Sequence, residues 1–150
     1  MLALTFEAAG ERYALRATAV TRVVPWAPLR GLPGAPAWMS GLLRLGDALV
    51  PILDLGCLLS GAPCRRLFAT RIALVEHRRG GEQRAVGLLA ERMTEVVELP
   101  EHGTAAIAVP GQPWLGEIVL AAGRSWQLVE PRQLLGAEVE SLLFGVEQAP

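Results

Sequence analysis

The 150-residue chain is 51 % hydrophobic, only 19 % charged and carries a net charge of −1. That balance excludes a disordered chain and argues against nucleic acid or an anionic lipid surface as partner. All 14 basic residues are arginine, as expected of a biased genome and compatible with a protein interface.

Leu2 to Phe6 is a short apolar run, Glu7 to Glu11 reads as a turn, and Arg12 to Leu15 resumes an extended segment, predicting a hairpin. From Ala17 to Val24, Val20, Val23 and Val24 interleave with Thr and Arg. This favours a strand, with room for one helical turn at Ala17 to Val20. Pro25, Pro28, Pro33 and Pro36 with Gly31 and Gly34 make a long irregular loop. Trp38 to Leu59 then predicts two strands around Gly46-Asp47, the second closing on Asp54, and a short helical turn in Asp54 to Leu59. Ser60 to Arg66 is the candidate junction between two halves. Phe68 to Val75 and Ala85 to Leu89 read as strands flanking the charged glycine turn Arg78 to Glu82. Glu91 to Val97 mixes apolar Met93, Val96 and Val97 with polar residues. Pro100 to Pro113 is a loop with a small β run at Ala105 to Val109, and Trp114 to Leu135 carries two strands and a short helix. Val139, Leu142, Leu143 and Val146 stand at helical spacing, predicting a closing helix over Ala137 to Val146.

Short strands with little helix predict an all-β barrel or sandwich. The chain also repeats itself. Tyr13, Val20, Val23 and Val24 recur as Val86, Met93, Val96 and Val97, an offset of 73, and Trp38, Asp54, Leu58 and Leu59 recur as Trp114, Glu130, Leu134 and Leu135, an offset of 76. The expected organisation is one domain, 1–150, built of two units at roughly 12–62 and 68–136, which pack together and leave a groove between them.

Signals for catalysis are weak. Cys57 and Cys64 with His77 and His102 match no closed metal-site spacing, and no phosphate-binding glycine loop occurs, so neither metal nor cofactor is expected. A small thiol or metal enzyme stays open as a minor reading. Glu91, Glu95, Glu98 and Glu101 read as a solvated face, Trp38 and Trp114 as core, and Trp26 as the better candidate for an exposed anchor. No run is long enough to span a bilayer and the start lacks a basic leader, so a cytoplasmic protein is expected.

Several of these residues together resemble the CheW-like domain of bacterial chemotaxis coupling proteins: Tyr13-Ala14-Leu15 followed by Val20-x-x-Val23, Leu32-Pro33-x-x-Pro36, Gly41, and Leu49 to Leu55 (LVPILDL). The second half adds Val86-Gly87-Leu88-Leu89 running into Met93-Thr94-Glu95-Val96, then Leu115-Gly116 and Leu134-Leu135. The resemblance implies two intertwined, small five-stranded SH3-like β-barrels, with short helices and a C-terminal helix. It implies a stand-alone adaptor without catalysis or cofactor, which binds a CheA-type histidine kinase and the cytoplasmic tip of a methyl-accepting receptor. By the same resemblance, receptor contacts fall on Val20, Val23, Gly41 and the turn after Leu45, with Val86 and Met93 lining the groove. On that reading, Val20→Asp and Gly41→Asp are each expected to weaken receptor binding without disturbing the fold. Where the family reads Asn-Leu-Arg-Gly, this chain has Arg44-Leu45-Gly46-Asp47, and Arg22 stands where an acidic residue is common. Arg22, Arg44, Gly46 and Asp47 therefore join the candidate site, with Arg44 expected to restore part of the charge missing at position 46. The departure points to a specialised, surface-sensing type of pathway, or to a module that binds another regulator or a localisation protein without receptor coupling.

Overall fold

In the computed structural model, residues 1–103, 110, 112–136 and 139–141 are described, Arg79 by its backbone alone. Among them, nine strands and two short helices follow one another as β1 (Leu2–Ala8), β2 (Glu11–Arg16), β3 (Arg22–Pro25), β4 (Met39–Leu45), β5 (Ala48–Asp54), α1 (Leu55–Ser60), β6 (Arg71–Arg79), β7 (Glu82–Glu98), β8 (Leu115–Ala121), β9 (Arg124–Val129) and α2 (Pro131–Leu134). The chain is mostly β, as its turn-punctuated runs predict. Ala17–Ala19 forms a single 3-10 turn before β3, so the helical alternative holds for that short piece and the strand for Arg22–Pro25. The small run expected at Ala105 to Val109 lies outside the described residues, as does most of the stretch Ala137 to Val146 expected to close the chain as a helix. Residues 139–141 are helical, with the Glu140 N–H donating to the Gly136 carbonyl at 2.8 Å.

The ladders fall into two sets that share β7. Its first half pairs antiparallel with β6 and parallel with β5, and its second half pairs antiparallel with β1. One set is therefore β3-β6-β7-β5-β4 and the other β7-β1-β2-β9-β8, joined into a sheet that is not closed. The sequence reading treats Ala85 to Leu89 and Glu91 to Val97 as separate segments, but they are one 17-residue strand, bent where Arg92 takes a φ of +52°. Phe68 to Val75 is also corrected. The strand begins at Arg71, and Phe68 lies in the turn before it.

The repeat reappears as geometry. The Asp54 N–H donates to the Trp38 carbonyl at 2.8 Å, and the Glu130 N–H donates to the Trp114 carbonyl at 2.8 Å. Ile52 stands opposite Gly87 in one parallel ladder, and Leu128 opposite Ala14 in the other. The last strand of each unit thus crosses to the other unit, β5 beside β7 and β9 beside β2, the strands that carry the matching Val86 and Tyr13. The paired sets mix strands from 12–62 with strands from 68–136, and the N-terminal β1 and β2 sit with β8 and β9.

Three apolar clusters result from this exchange. Leu43, Val50, Ile52, Ile72, Leu74 and Leu89 come from the first set alone. Ala3, Ala14, Val119, Trp126 and Leu128, with Leu99, belong to the second. The largest cluster draws on both: Leu4, Phe6, Leu15, Leu53, Ala73, Val75, Val86, Leu88, Met93, Val129, Leu134 and Leu135 among others. Alternate residues of one strand serve different clusters. Ile72 and Leu74 point into their own set, while Ala73 and Val75 point into the shared core. Strands buried on both faces carry continuous rather than alternating apolar runs, which is why the chain is so apolar for its size.

Candidate functional site

The candidate contact residues of the first set lie on and beside its outermost strands, β3 and β4. From the loop between those strands Arg30 exchanges two backbone hydrogen bonds with Leu42 of β4, each 2.9 Å long. Arg22 and Val23 on β3 are exposed, Val23 by 38 % of its surface. Val20, just before β3, is half-buried against the shared core, and its N–H donates to the Ala17 carbonyl at 3.1 Å. Thr21 anchors the start of the strand through its N–H and hydroxyl, both donated to the Leu74 carbonyl, at 2.8 and 3.0 Å.

The β4–β5 tip is a two-residue turn, Gly46-Asp47, between the paired Leu45 and Ala48. Gly46 supplies its φ of +60°, a conformation that costs glycine little. Arg44, Gly46 and Asp47 are all exposed. Arg44 bends back over the turn, its Nε donating to the Gly46 carbonyl at 3.2 Å. A guanidinium therefore stands at the tip, although residue 46 carries no side chain.

Three of the expected contact residues lie inside the molecule. Val86 and Met93 are 0 % and 1 % exposed and belong to the shared core, so neither side chain lines a groove. Gly41 is buried at an irregularity of the β4–β5 ladder, with φ +143°. A Cβ there would sit 2.5 Å from the Arg30 carbonyl oxygen. Gly41 is therefore the residue that lets the loop after β3 approach β4. The expectation that Gly41→Asp spares the fold is corrected on this ground. The sequence could not separate these from surface positions, because a core valine and a contact valine carry the same pattern.

A polar groove of about 460 Å³ does lie between the two sets. Arg16, Thr18 and Thr21 line it from around β2 and β3, His77 from β6, and Glu130 and Arg132 from the α2 end. Arg16 faces Glu130 at 3.8 Å, and His77 faces Glu140 at 3.5 Å. Of the tryptophans, Trp38 and Trp114 pack against the shared core as expected. Trp26 is half-buried in the first set, with the Arg66 guanidinium 4.7 Å above its ring.

The thiols are arranged as structural groups. Burial pushes the Cys57 and Cys64 thiols up, and the adjacent Asp54 carboxylate adds to the effect. Each Sγ contacts a backbone carbonyl at 3.5 Å, Ala37 for Cys57 and Leu89 for Cys64. Protonated thiols are poor nucleophiles and poor metal ligands. Among the described residues, no three His, Cys, Asp or Glu side chains are grouped to hold a metal ion. Nor is any helix among them long and apolar enough to cross a membrane.

Comparison with known proteins agrees with this architecture. The sequence profile of the CheW-like domain matches residues 2–139. The chain is similar to a protein of Rhizobium etli described as a probable chemotaxis protein CheW, 23 % identical over 144 residues, covering 96 % of this chain and 88 % of that one. Its fold is similar to the crystal structure of the scaffolding protein TtCheW from Thermoanaerobacter tengcongensis, with a TM-score of 0.76 and 20 % identity over 92 % of this chain and 89 % of that one.

Proposed function

Because the chain belongs to the CheW-like domain family, we propose that it is a non-enzymatic adaptor of a chemosensory system, holding a CheA-type histidine kinase and the cytoplasmic tip of a methyl-accepting receptor on one body. The observation that carries the reading is the family match along nearly the whole chain, over a fold with two strand sets and one shared core. Two strand sets that share one core suit an adaptor. Tethering two weak partners raises their effective concentration and fixes their geometry. Receptor signals then bias the kinase through contacts that differ between its active and inactive states. The adaptor acts in the cytoplasm and is recruited to receptor arrays by these contacts.

The receptor-facing surface is the outward part of the candidate set: exposed Arg22 and Val23 on β3 with half-buried Val20 before them, and exposed Arg44, Gly46 and Asp47 at the β4–β5 tip. Val23 gives apolar contact, while Arg22, Arg44 and Asp47 set register and partner choice. The turn Gly46-Asp47 in place of Arg-Gly supports a receptor of a specialised pathway. Binding of a purified receptor cytoplasmic fragment tests the assignment. Val23→Asp and Arg44→Ala each weaken it several-fold while far-UV circular dichroism and melting temperature stay unchanged. Wild-type affinity in both folded variants would sink the surface. Loss of receptor binding altogether, with another regulator bound in its place, would favour the non-coupling module.

A further inference from the structure

Phe68 is 96 % exposed, an unusual position for a phenylalanine. It is not on a loose loop. Its turn is braced from within by the Thr70 hydroxyl, which donates to the Arg65 carbonyl at 2.6 Å and accepts from the Leu67 N–H at 3.0 Å. The Thr70 N–H closes back on the Leu67 carbonyl at 3.1 Å, and Arg71 Nη1 donates to the carbonyls of Phe68 and Thr70 at 2.5 and 3.0 Å. From outside, the Met93 N–H holds the Ala69 carbonyl at 3.1 Å, and Glu91 grips Arg65 through its backbone N–H at 2.7 Å and its Nη2 at 2.9 Å. The backbone that carries the ring, with Leu67 beside it at 37 % exposure, is thus braced so that the side chain protrudes before any partner arrives. Pre-organised aromatic side chains bind with little entropic loss and dominate interface energetics.

Charge indicates what the turn meets. From residue 55 to residue 75 the chain has three arginines and no acid, although the molecule as a whole is net negative. Among the described residues, Arg65 is compensated by Glu91, but no carboxylate pairs with Arg66 or Arg71. Arg66 lies over Trp26, and the Arg71 guanidinium is 5.8 Å from the Phe68 ring. The complement is an apolar pocket rimmed by carboxylates.

The turn also lies at the opposite end of the first set from the β4–β5 tip. Asp54, at the far end of β5, stands beside Leu89, and Leu89 beside Ile72, four residues from Phe68. The tip begins at the other end of β5, six residues back, about 20 Å along an extended strand. An adaptor needs two faces that can be occupied together. Resting on the adaptor function proposed above, we infer that the Phe68 turn docks the histidine kinase, inserting Phe68 and Leu67 into an acid-rimmed apolar pocket while the receptor occupies the other end.

Titration of the full chain with the purified cognate kinase, by calorimetry at two salt concentrations, tests this. Phe68→Ala lowers kinase affinity at least tenfold, keeps the wild-type melting temperature and leaves binding of the receptor fragment intact. Arg66→Gln weakens kinase binding and flattens its salt dependence. Kinase affinity unchanged within twofold in Phe68→Ala overturns the inference while the adaptor function stands. A wild-type chain that fails to bind the kinase overturns the adaptor function itself. Binding to anionic phospholipid vesicles that is lost in Phe68→Ala, without loss of kinase binding, overturns the inference in favour of a membrane contact.

Discussion

Asp54 and Glu130 occupy equivalent places in the repeat, yet their carboxylates do different things. The Asp54 side chain is buried, caps α1 through the Cys57 N–H at 3.2 Å, and reaches ten residues on to accept the Cys64 N–H at 3.1 Å. Glu130 makes no cap bond and faces Arg16 in a partly exposed pair. Replacing a cap residue by alanine costs about 1 kcal/mol, and stranding a buried N–H adds 1–3 kcal/mol. Asp54→Ala therefore destabilises the protein by roughly 2–4 kcal/mol in urea unfolding, whereas Glu130→Ala changes it by no more than about 0.5 kcal/mol. The sequence shows both residues as an acid before Leu-Leu, and Asp54 is set apart by the loop 61–64, whose Cys64 N–H folds back onto its carboxylate. Gly41 makes the same point about surfaces. Gly41→Ala forces a side chain into a φ of +143° and against the Arg30 carbonyl, and lowers stability by roughly 1–3 kcal/mol in the same assay. Loss of partner binding in a Gly41 variant would report on the fold.

At the scale of the element, β7 ties the molecule together. Its bend is held by two ion pairs, Arg65 Nη2 to Glu91 Oε1 at 2.9 Å and Arg92 Nε to Glu7 Oε1 at 3.5 Å. Burial pushes the Glu91 carboxyl up, but the hydrogen bonds and charge of Arg65 together outweigh it and hold the carboxyl below its ordinary value. A carboxyl depressed in the folded state contributes stability that is present above its unfolded pKa, about 4.3, and is lost as pH falls through the folded value. Urea unfolding of wild type and Glu91→Gln from pH 7 to pH 3 checks this. The wild-type advantage is constant above about pH 5 and shrinks below the unfolded value. An advantage independent of pH would assign Glu91 a packing role instead. The strand itself was half legible. Ala85 to Leu89 reads as a strand and Glu91 to Val97 as a mixed segment, but nothing in Ala90-Glu91-Arg92 announces that one strand continues through the bend into a second set. Periodicity reports which residues are buried and is silent about which strand they meet.

The whole molecule shows what that silence hides. The β class was legible in the short, turn-punctuated runs, and the paired tryptophans and acids at fixed spacing make equivalent backbone bonds. The exchange was legible only through the family resemblance, since a unit that pairs internally and a unit that pairs with its neighbour carry the same apolar pattern. The resemblance placed Val86 and Met93 in a groove, whereas the exchange carries both side chains into a core lined by both sets. The same geometry makes a claim about cooperativity. Leu88 is fully buried in the shared core and stands beside Leu53 of β5 and Ala73 of β6, while β9 lies in the other set. Leu88→Ala costs roughly 2–5 kcal/mol as a large-to-small core change. If the shared core makes the two sets one folding unit, that loss appears wherever exchange proceeds by global opening. Native-state hydrogen exchange should then show the amides of Trp126 and Leu128 in β9 accelerating by the same factor as those of Ile52 and Leu53 in β5. Acceleration confined to the first set would mean that the two sets open independently, and that the shared core is a contact between separate folding units.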